Sequence, residues 1–145
     1  MTQEDLGRSI GYQLKRAQAA LRAAMDGALR PHGLTTPQYS CLEQLRLWPG
    51  LSNAELARGT FVTRQSMNVL LRSLEEAGLV ERPETAPSGR ALPARLTEAG
   101  ARALEAARAD VSAIERRMTA AMDPAQAQSF VTQLAAMADT LSTPP

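Results

Sequence analysis

The sequence carries one cysteine, one histidine and one lysine, and aromatic residues make up 3% of its 145 positions. Cys41 stands alone, so no intrachain disulfide can staple the fold, which suits a reducing compartment. His32 is the sole histidine, which leaves no cluster with zinc-ligand spacing and no Ser-His-acid set. Neither a phosphate-cradling glycine loop nor a dinucleotide fingerprint occurs. The expectation is therefore no enzymatic activity, no metal and no cofactor. No uninterrupted apolar run approaches membrane-spanning length, and MTQEDLGRSI lacks a basic segment followed by an apolar one, so the expected location is the cytoplasm, with no membrane partner. A net charge of +1 gives no global sign of a polyanionic partner, and local charge placement must be read instead. Fifteen of the sixteen basic residues are arginine, a bias that gene composition also produces.

What is present is helical. Hydrophobic residues make up 44% of the chain, mostly Ala, Leu, Val and Met. Leu6, Ile10, Leu14, Ala17, Leu21, Met25 and Ala28 recur by three and four, which predicts one long amphipathic helix over residues 5–29. Pro31-His32-Gly33 ends it. Thr36-Pro37 restarts a helix with a hydroxyl N-cap and proline at the first helical position, with Tyr39, Leu42 and Leu45 facing inward. Ser52 and Glu55 have capping-box spacing, flanked by Leu51 and Leu56 as a hydrophobic staple. Gly59 is read as the stop of that short helix and Thr63 as the cap of the next. Met67, Leu70, Leu71 and Leu74 form the buried stripe of this second helix, and Gly78 takes the left-handed position after its end.

Residues 79–82 and 91–96 read as two short strands around a loop at 83–90 rich in Pro, Ser and Gly, with Pro93 confining the second strand to an edge. Thr97 caps a long helix whose seam is Leu104, Ala107, Val111, Ile114, Met118 and Ala121. Asp123-Pro124-Ala125-Gln126 starts a last helix with Phe130, Leu134, Met137 and Leu141 on one face.

Two helices joined by a turn and followed by two strands make the order of a winged helix-turn-helix, whose second helix enters the major groove of DNA. The exposed side of that helix, about residues 63–77, offers Thr63, Arg64, Gln65, Ser66, Asn68 and Arg72, and no acidic residue precedes Glu75. Amides could read adenine and guanidiniums guanine, while Thr63 and the free amides at the helix start could hold a phosphate. Arg90, at the end of the loop, could enter a narrow minor groove, and Arg95 lies nearer the base of the ribbon.

The run LSNAELARGTFVTRQSMNVLLRSLEEAGLVERPE, followed after the wing by LPARLTEAG, resembles the MarR family of bacterial regulators, and the flanking helices match its arrangement over nearly the whole chain. The resemblance implies a mainly α fold of about six helices with a two-stranded β-wing. It implies a single domain over residues 1–145, in which 5–34 and 98–145 are dimerisation helices around a DNA-binding lobe at 36–97, with the wing at about 79–97. It further implies a homodimer that binds a near-palindromic double-stranded operator, usually represses, and is commonly released by a small-molecule effector. One departure stands out: wings of this family often carry Asp-x-Arg at the tip, and here Ser88-Gly89-Arg90 keeps the arginine without the carboxylate that would orient it.

Candidate liners of an effector pocket, where the dimer helices meet the DNA-binding lobe, are Tyr12, Arg16, Met25, His32, Tyr39 and Trp48. The alternative is that they fill the core or an interface. Two other functional readings stay open. One is a winged-helix protein-interaction module without a DNA target. The other is a redox-responsive regulator acting through Cys41, although the peroxide-sensing relatives place their cysteine in the first helix.

Overall fold

The computed structural model describes residues 1–82 and 93–145. Among them the elements run α1 (Gln3–Gly7), α2 (Ile10–Leu29), a 3₁₀ turn (Arg30–His32), α3 (Thr36–Leu47), α4 (Asn53–Thr60), α5 (Arg64–Glu76), β1 (Val80–Glu81), β2 (Arg95–Leu96), α6 (Glu98–Met118) and α7 (Pro124–Ser142). The mainly α architecture with a two-stranded antiparallel ribbon is as the sequence indicates. The ribbon pairs Val80 with Leu96 and Glu81 with Arg95. No helix among the described residues is long and apolar enough to cross a membrane.

Several boundaries differ from the sequence reading, each for a local reason. The first helix is interrupted: Ser9 leaves helical geometry and its hydroxyl accepts from the Tyr12 amide, so α1 and α2 are separate. Apolar spacing continues across the break, which is why periodicity alone joined them. The cap of α3 is Thr35, in a reciprocal capping box with Gln38, and Pro37 falls at the second helical position. Thr36 is thereby freed to donate from Oγ1 to Asp26 Oδ1 at 2.5 Å, tying the start of α3 to the end of α2. That hydrogen bond holds the Asp26 carboxyl below its ordinary range.

Gly59 does not stop α4, which runs to Thr60 and ends on Phe61 in the left-handed region at φ 59°. Gly59 serves another purpose. The Gln44 side chain lies over it, and a Cβ there would sit 2.6 Å from Gln44 Oε1. Both strands are shorter than expected at two residues each, with Pro93 outside the ladder. Residues 91 and 92 of the second predicted strand, like the loop at 83–90, lie outside the described residues. The long helix stops at Met118, leaving Ala121, the last residue of the predicted seam, in a turn.

The chain divides into two compact units, Met1–Val111 and Ser112–Pro145. In the first, one continuous core joins Leu29, Leu42 and Leu45 with Leu56, then Met67, Leu71 and Leu74, then Val80, Leu104 and Ala107. Each fully buried Leu or Met contributes roughly 1.5–3 kcal/mol over an exposed one, so this cluster fixes how α3, α4 and α5 meet. In the second unit α7 is capped by the Asp123–Gln126 box yet buries none of its residues, and Phe130, Val131 and Leu141 stay exposed.

Candidate nucleic-acid interface

Helix α5 owes its start to Thr63, whose Oγ1 accepts from the Ser66 amide at 3.0 Å and donates to Ser66 Oγ at 3.0 Å. The Thr63 hydroxyl is therefore committed to the helix. What remains outward at this end are the amides of Arg64 and Gln65 and the hydroxyl hydrogen of Ser66. No acidic side chain occupies the first turn, so the positive end of the helix dipole is uncompensated from within the helix.

The helix ends in a left-handed Gly78 at φ 75°, with the Leu79 amide donating to Leu74 O and the Gly78 amide to Glu75 O. Thr97 ties the wing base to this end. Its Oγ1 donates to Gly78 O at 2.7 Å and accepts from the Gly100 amide, capping α6. Gly100 passes so close to Leu79 O that a Cβ would overlap that backbone oxygen, at 2.1 Å. The TEAG segment is thus the joint that sets α6 against the turn following α5.

Met67, Leu71 and Leu74 are buried and Leu70 is partly so, as the stripe predicts. Arg64, Gln65, Ser66, Asn68 and Arg72 are all exposed, on the side that α4 does not cover. Asn68 lies at the edge of that face: its Oδ1 accepts from Asn53 Nδ2, at the first turn of α4, at 2.7 Å. Its two Nδ2 hydrogens and the second Oδ1 lone pair remain available. The centre of the face is occupied by Gln65, Val69 and Arg72, directly opposite the buried stripe. Val69, 63% exposed, and Asn53 are the two residues here that the sequence reading passed over. Counting period 3.6 from Met67 and Leu71 would have found Val69. No local signal points to Asn53, because its partner is fifteen positions away.

Of three carboxylates near this surface, exposed Glu76 closes the outward face one turn beyond Arg72, and the other two lie against arginines. Glu75 Oε1 lies 2.8 Å from Arg82 Nε, and Glu81 Oε1 receives Arg95 Nε at 2.7 Å across the ribbon. Arg95 is accordingly bound into the wing base. Arg90 lies outside the described residues.

The six candidate pocket residues are dispersed. Tyr39 and Met25 pack in or against the core, His32 Nε2 lies 2.7 Å from Asp110 Oδ2, and Arg16 bonds to Gln13 on the surface of α2. Tyr12 and Trp48 are exposed. A concavity of about 430 Å³ in the first unit is lined by Arg22, Asp26, Arg30, Gly33, Leu34 and Thr35, none of them among the six. Cys41 is fully buried with its Sγ 4.0 Å from Met67 Sδ, and burial pushes its thiol up to about 12. At neutral pH it is a protonated core residue, the opposite of the exposed thiolate that a redox sensor requires.

Comparison with known proteins gives a consistent picture. A sequence profile described as MarR family matches residues 32–91. The HTH-type transcriptional repressor Rv2887 of Mycobacterium tuberculosis is 47% identical over 121 residues, spanning 83% of this chain and 87% of the relative. The crystal structure of the M. tuberculosis MarR family protein Rv2887 in complex with DNA covers 93% of this chain and 98% of its own, at 41% identity and a TM-score of 0.72. The same protein in complex with salicylic acid covers 89% of this chain and 96% of its own, at 45% identity and a TM-score of 0.72.

Proposed function

The chain belongs to the MarR family, and on that footing we propose that it is a homodimeric transcriptional repressor that binds a pseudo-palindromic operator and is released by a small-molecule effector. The observation that carries this reading is the outward face of α5: a capped helix start, two guanidiniums, two amides, and no carboxylate before Glu75. Such a face repels nothing on a phosphate backbone and presents donors to base edges. An interaction module for a protein partner has no need of this one-signed arrangement.

In this proposal Arg64, Gln65, Asn68 and Arg72 face the major groove, while Ser66 and the amides that Thr63 leaves open take a phosphate. Arg90 follows from the wing. Two-fold symmetry sets the two α5 helices about one turn apart, roughly 34 Å. The dimerisation segments are residues 5–34 and 98–145, flanking the lobe at 36–97. The open apolar side chains Leu6, Ile10 and Leu14 in the first, and Phe130, Val131 and Leu141 in the second, are the kind of surface a partner subunit covers.

The effector class is a small aromatic acid, by analogy with the relative crystallised with salicylic acid. Of the six candidate liners, Tyr12, Arg16 and Trp48 stay exposed and are the proposed contacts, with Arg16 supplying a cation for the carboxylate, whereas Met25, His32 and Tyr39 are taken up by the fold. Buried Cys41 assigns no role to oxidation, and the protein acts in the cytoplasm without catalysing a reaction.

An electrophoretic mobility shift with duplexes from the intergenic DNA next to its gene tests the reading. The expected result is a specific retarded band that weakens steeply as salt rises and on addition of salicylate. Absent or salt-insensitive retardation overturns DNA binding, and indifference to aromatic acids overturns the effector class alone.

A further inference from the structure

Val69 sits at the centre of the outward face of α5, 63% exposed, one turn beyond Gln65 and one turn before Arg72. Nothing in the fold accounts for an apolar residue there. It buries little, and a β-branched residue at an exposed helical position is less favourable than alanine by several tenths of a kcal/mol. A single exposed valine elsewhere on a surface would be unremarkable. This one stands where a helix lying in the major groove meets the base edges most directly, while Asn68 is turned aside toward Asn53 at 2.7 Å.

The one apolar group that major-groove base edges present is the C5-methyl of thymine. Resting on the DNA-binding reading above, we infer that Val69 is a specificity-determining residue that packs its γ-methyls on a thymine methyl at one symmetric position of each half-site. Gln65 and Arg72, on either side, supply polar contacts that hold the helix deep enough for this to occur. Cytosine, which lacks the methyl, leaves Val69 against its exocyclic amine and is disfavoured there.

The probe is the tightest duplex that the wild-type protein selects from a random-sequence pool. Each thymine is replaced in turn by deoxyuridine, which removes the methyl and keeps the pairing. One symmetric pair of thymines is expected to matter, each substitution weakening binding about fourfold per half-site, the worth of one buried methyl group. Val69→Ala is expected to lose a similar factor on the thymine duplex and to be indifferent to deoxyuridine at that pair. Its salt dependence should match the wild type and its thermal melt should be equal or slightly higher, because no phosphate contact or core contact is removed and alanine is the better helix former.

Equal wild-type affinity for every deoxyuridine duplex overturns the inference without touching DNA binding, and so does a Val69→Ala protein that keeps the deoxyuridine effect. If selection recovers no duplex above random DNA, the sequence-specific reading itself fails and this inference falls with it.

Discussion

Asn53 Nδ2 donates to Asn68 Oδ1 at 2.7 Å, joining the first turn of α4 to the second turn of α5. With one lone pair of its carbonyl so occupied, Asn68 is held toward α4 and keeps one acceptor site beside its Nδ2 hydrogens. Those hydrogens can reach an acceptor such as guanine O6 or N7, thymine O4 or a phosphate oxygen.

Asn53 is therefore a positioning residue. Replacing Asn53 by Ala should weaken operator binding, and combining it with Asn68→Ala should cost less than the sum of the single changes. A coupling of about 0.5–1.5 kcal/mol in a double-mutant cycle is the expected size. Additive losses would show that the two side chains act independently on DNA.

Arg64 and Arg72 separate base reading from backbone attraction. If either reads a base, its replacement by Ala should cost about 1–3 kcal/mol on the selected operator and much less on random DNA. Titrations on both duplexes at two salt concentrations check this. Equal losses, with a shallower salt slope, would make that arginine a phosphate contact.

The parts of the fold that were legible in the sequence are those with a local cause. Ser52, Thr63 and Asp123 cap their helices as read, and Gly78 takes its left-handed place, because each signal acts within three or four residues. Ambiguity entered where two local answers competed. Thr35 and Thr36 are both good caps, and the one that also gains Gln38 at the third position wins. Ser9 broke a helix whose apolar spacing ran on regardless. At the interface the polar contact set followed from the buried stripe. The centring on Val69 and the turning of Asn68 depend on where α4 lies, a tertiary fact that no window of sequence contains.

The two glycines read as punctuation or motif differ in what an added methyl would strike. At Gly100 it meets Leu79 O, a backbone atom, at 2.1 Å. At Gly59 it meets the end of the Gln44 side chain, which can rotate away. Gly100→Ala should accordingly destabilise by about 1–3 kcal/mol or more, and Gly59→Ala should cost much less, helped by alanine's better helix propensity. Urea denaturation of both variants would check the order, and the reverse order would contradict the close approach at Leu79.

Phe61 combines 94% exposure with a left-handed backbone, a conformation that costs a residue with a Cβ about 1–2 kcal/mol. Almost no packing is lost on removing its ring, so Phe61→Asn should raise stability by about 0.5–1 kcal/mol, since asparagine tolerates this region. If the thermal midpoint falls instead, the ring has a contact in the dimer that outweighs the strain. Operator affinity measured alongside would show whether DNA supplies that contact.

Cys41 gives a prediction in pH. Its folded thiol is raised to about 12 by burial, whereas an unfolded cysteine ionises near about 8.5. The contribution to stability is thus complete below the unfolded value, and it is lost as pH rises from there toward the folded value, because only the unfolded chain gains by ionising. The stability advantage of the wild type over Cys41→Ala should be constant up to about pH 8 and narrow by about pH 10. Comparing the two proteins cancels other alkaline groups such as Tyr39, whose hydroxyl is also raised by burial. Thiol reagents should label the native protein slowly at neutral pH and promptly in urea. Rapid native labelling, together with a constant difference across that pH range, would place the thiol in solvent and restore oxidation as a route to release from DNA.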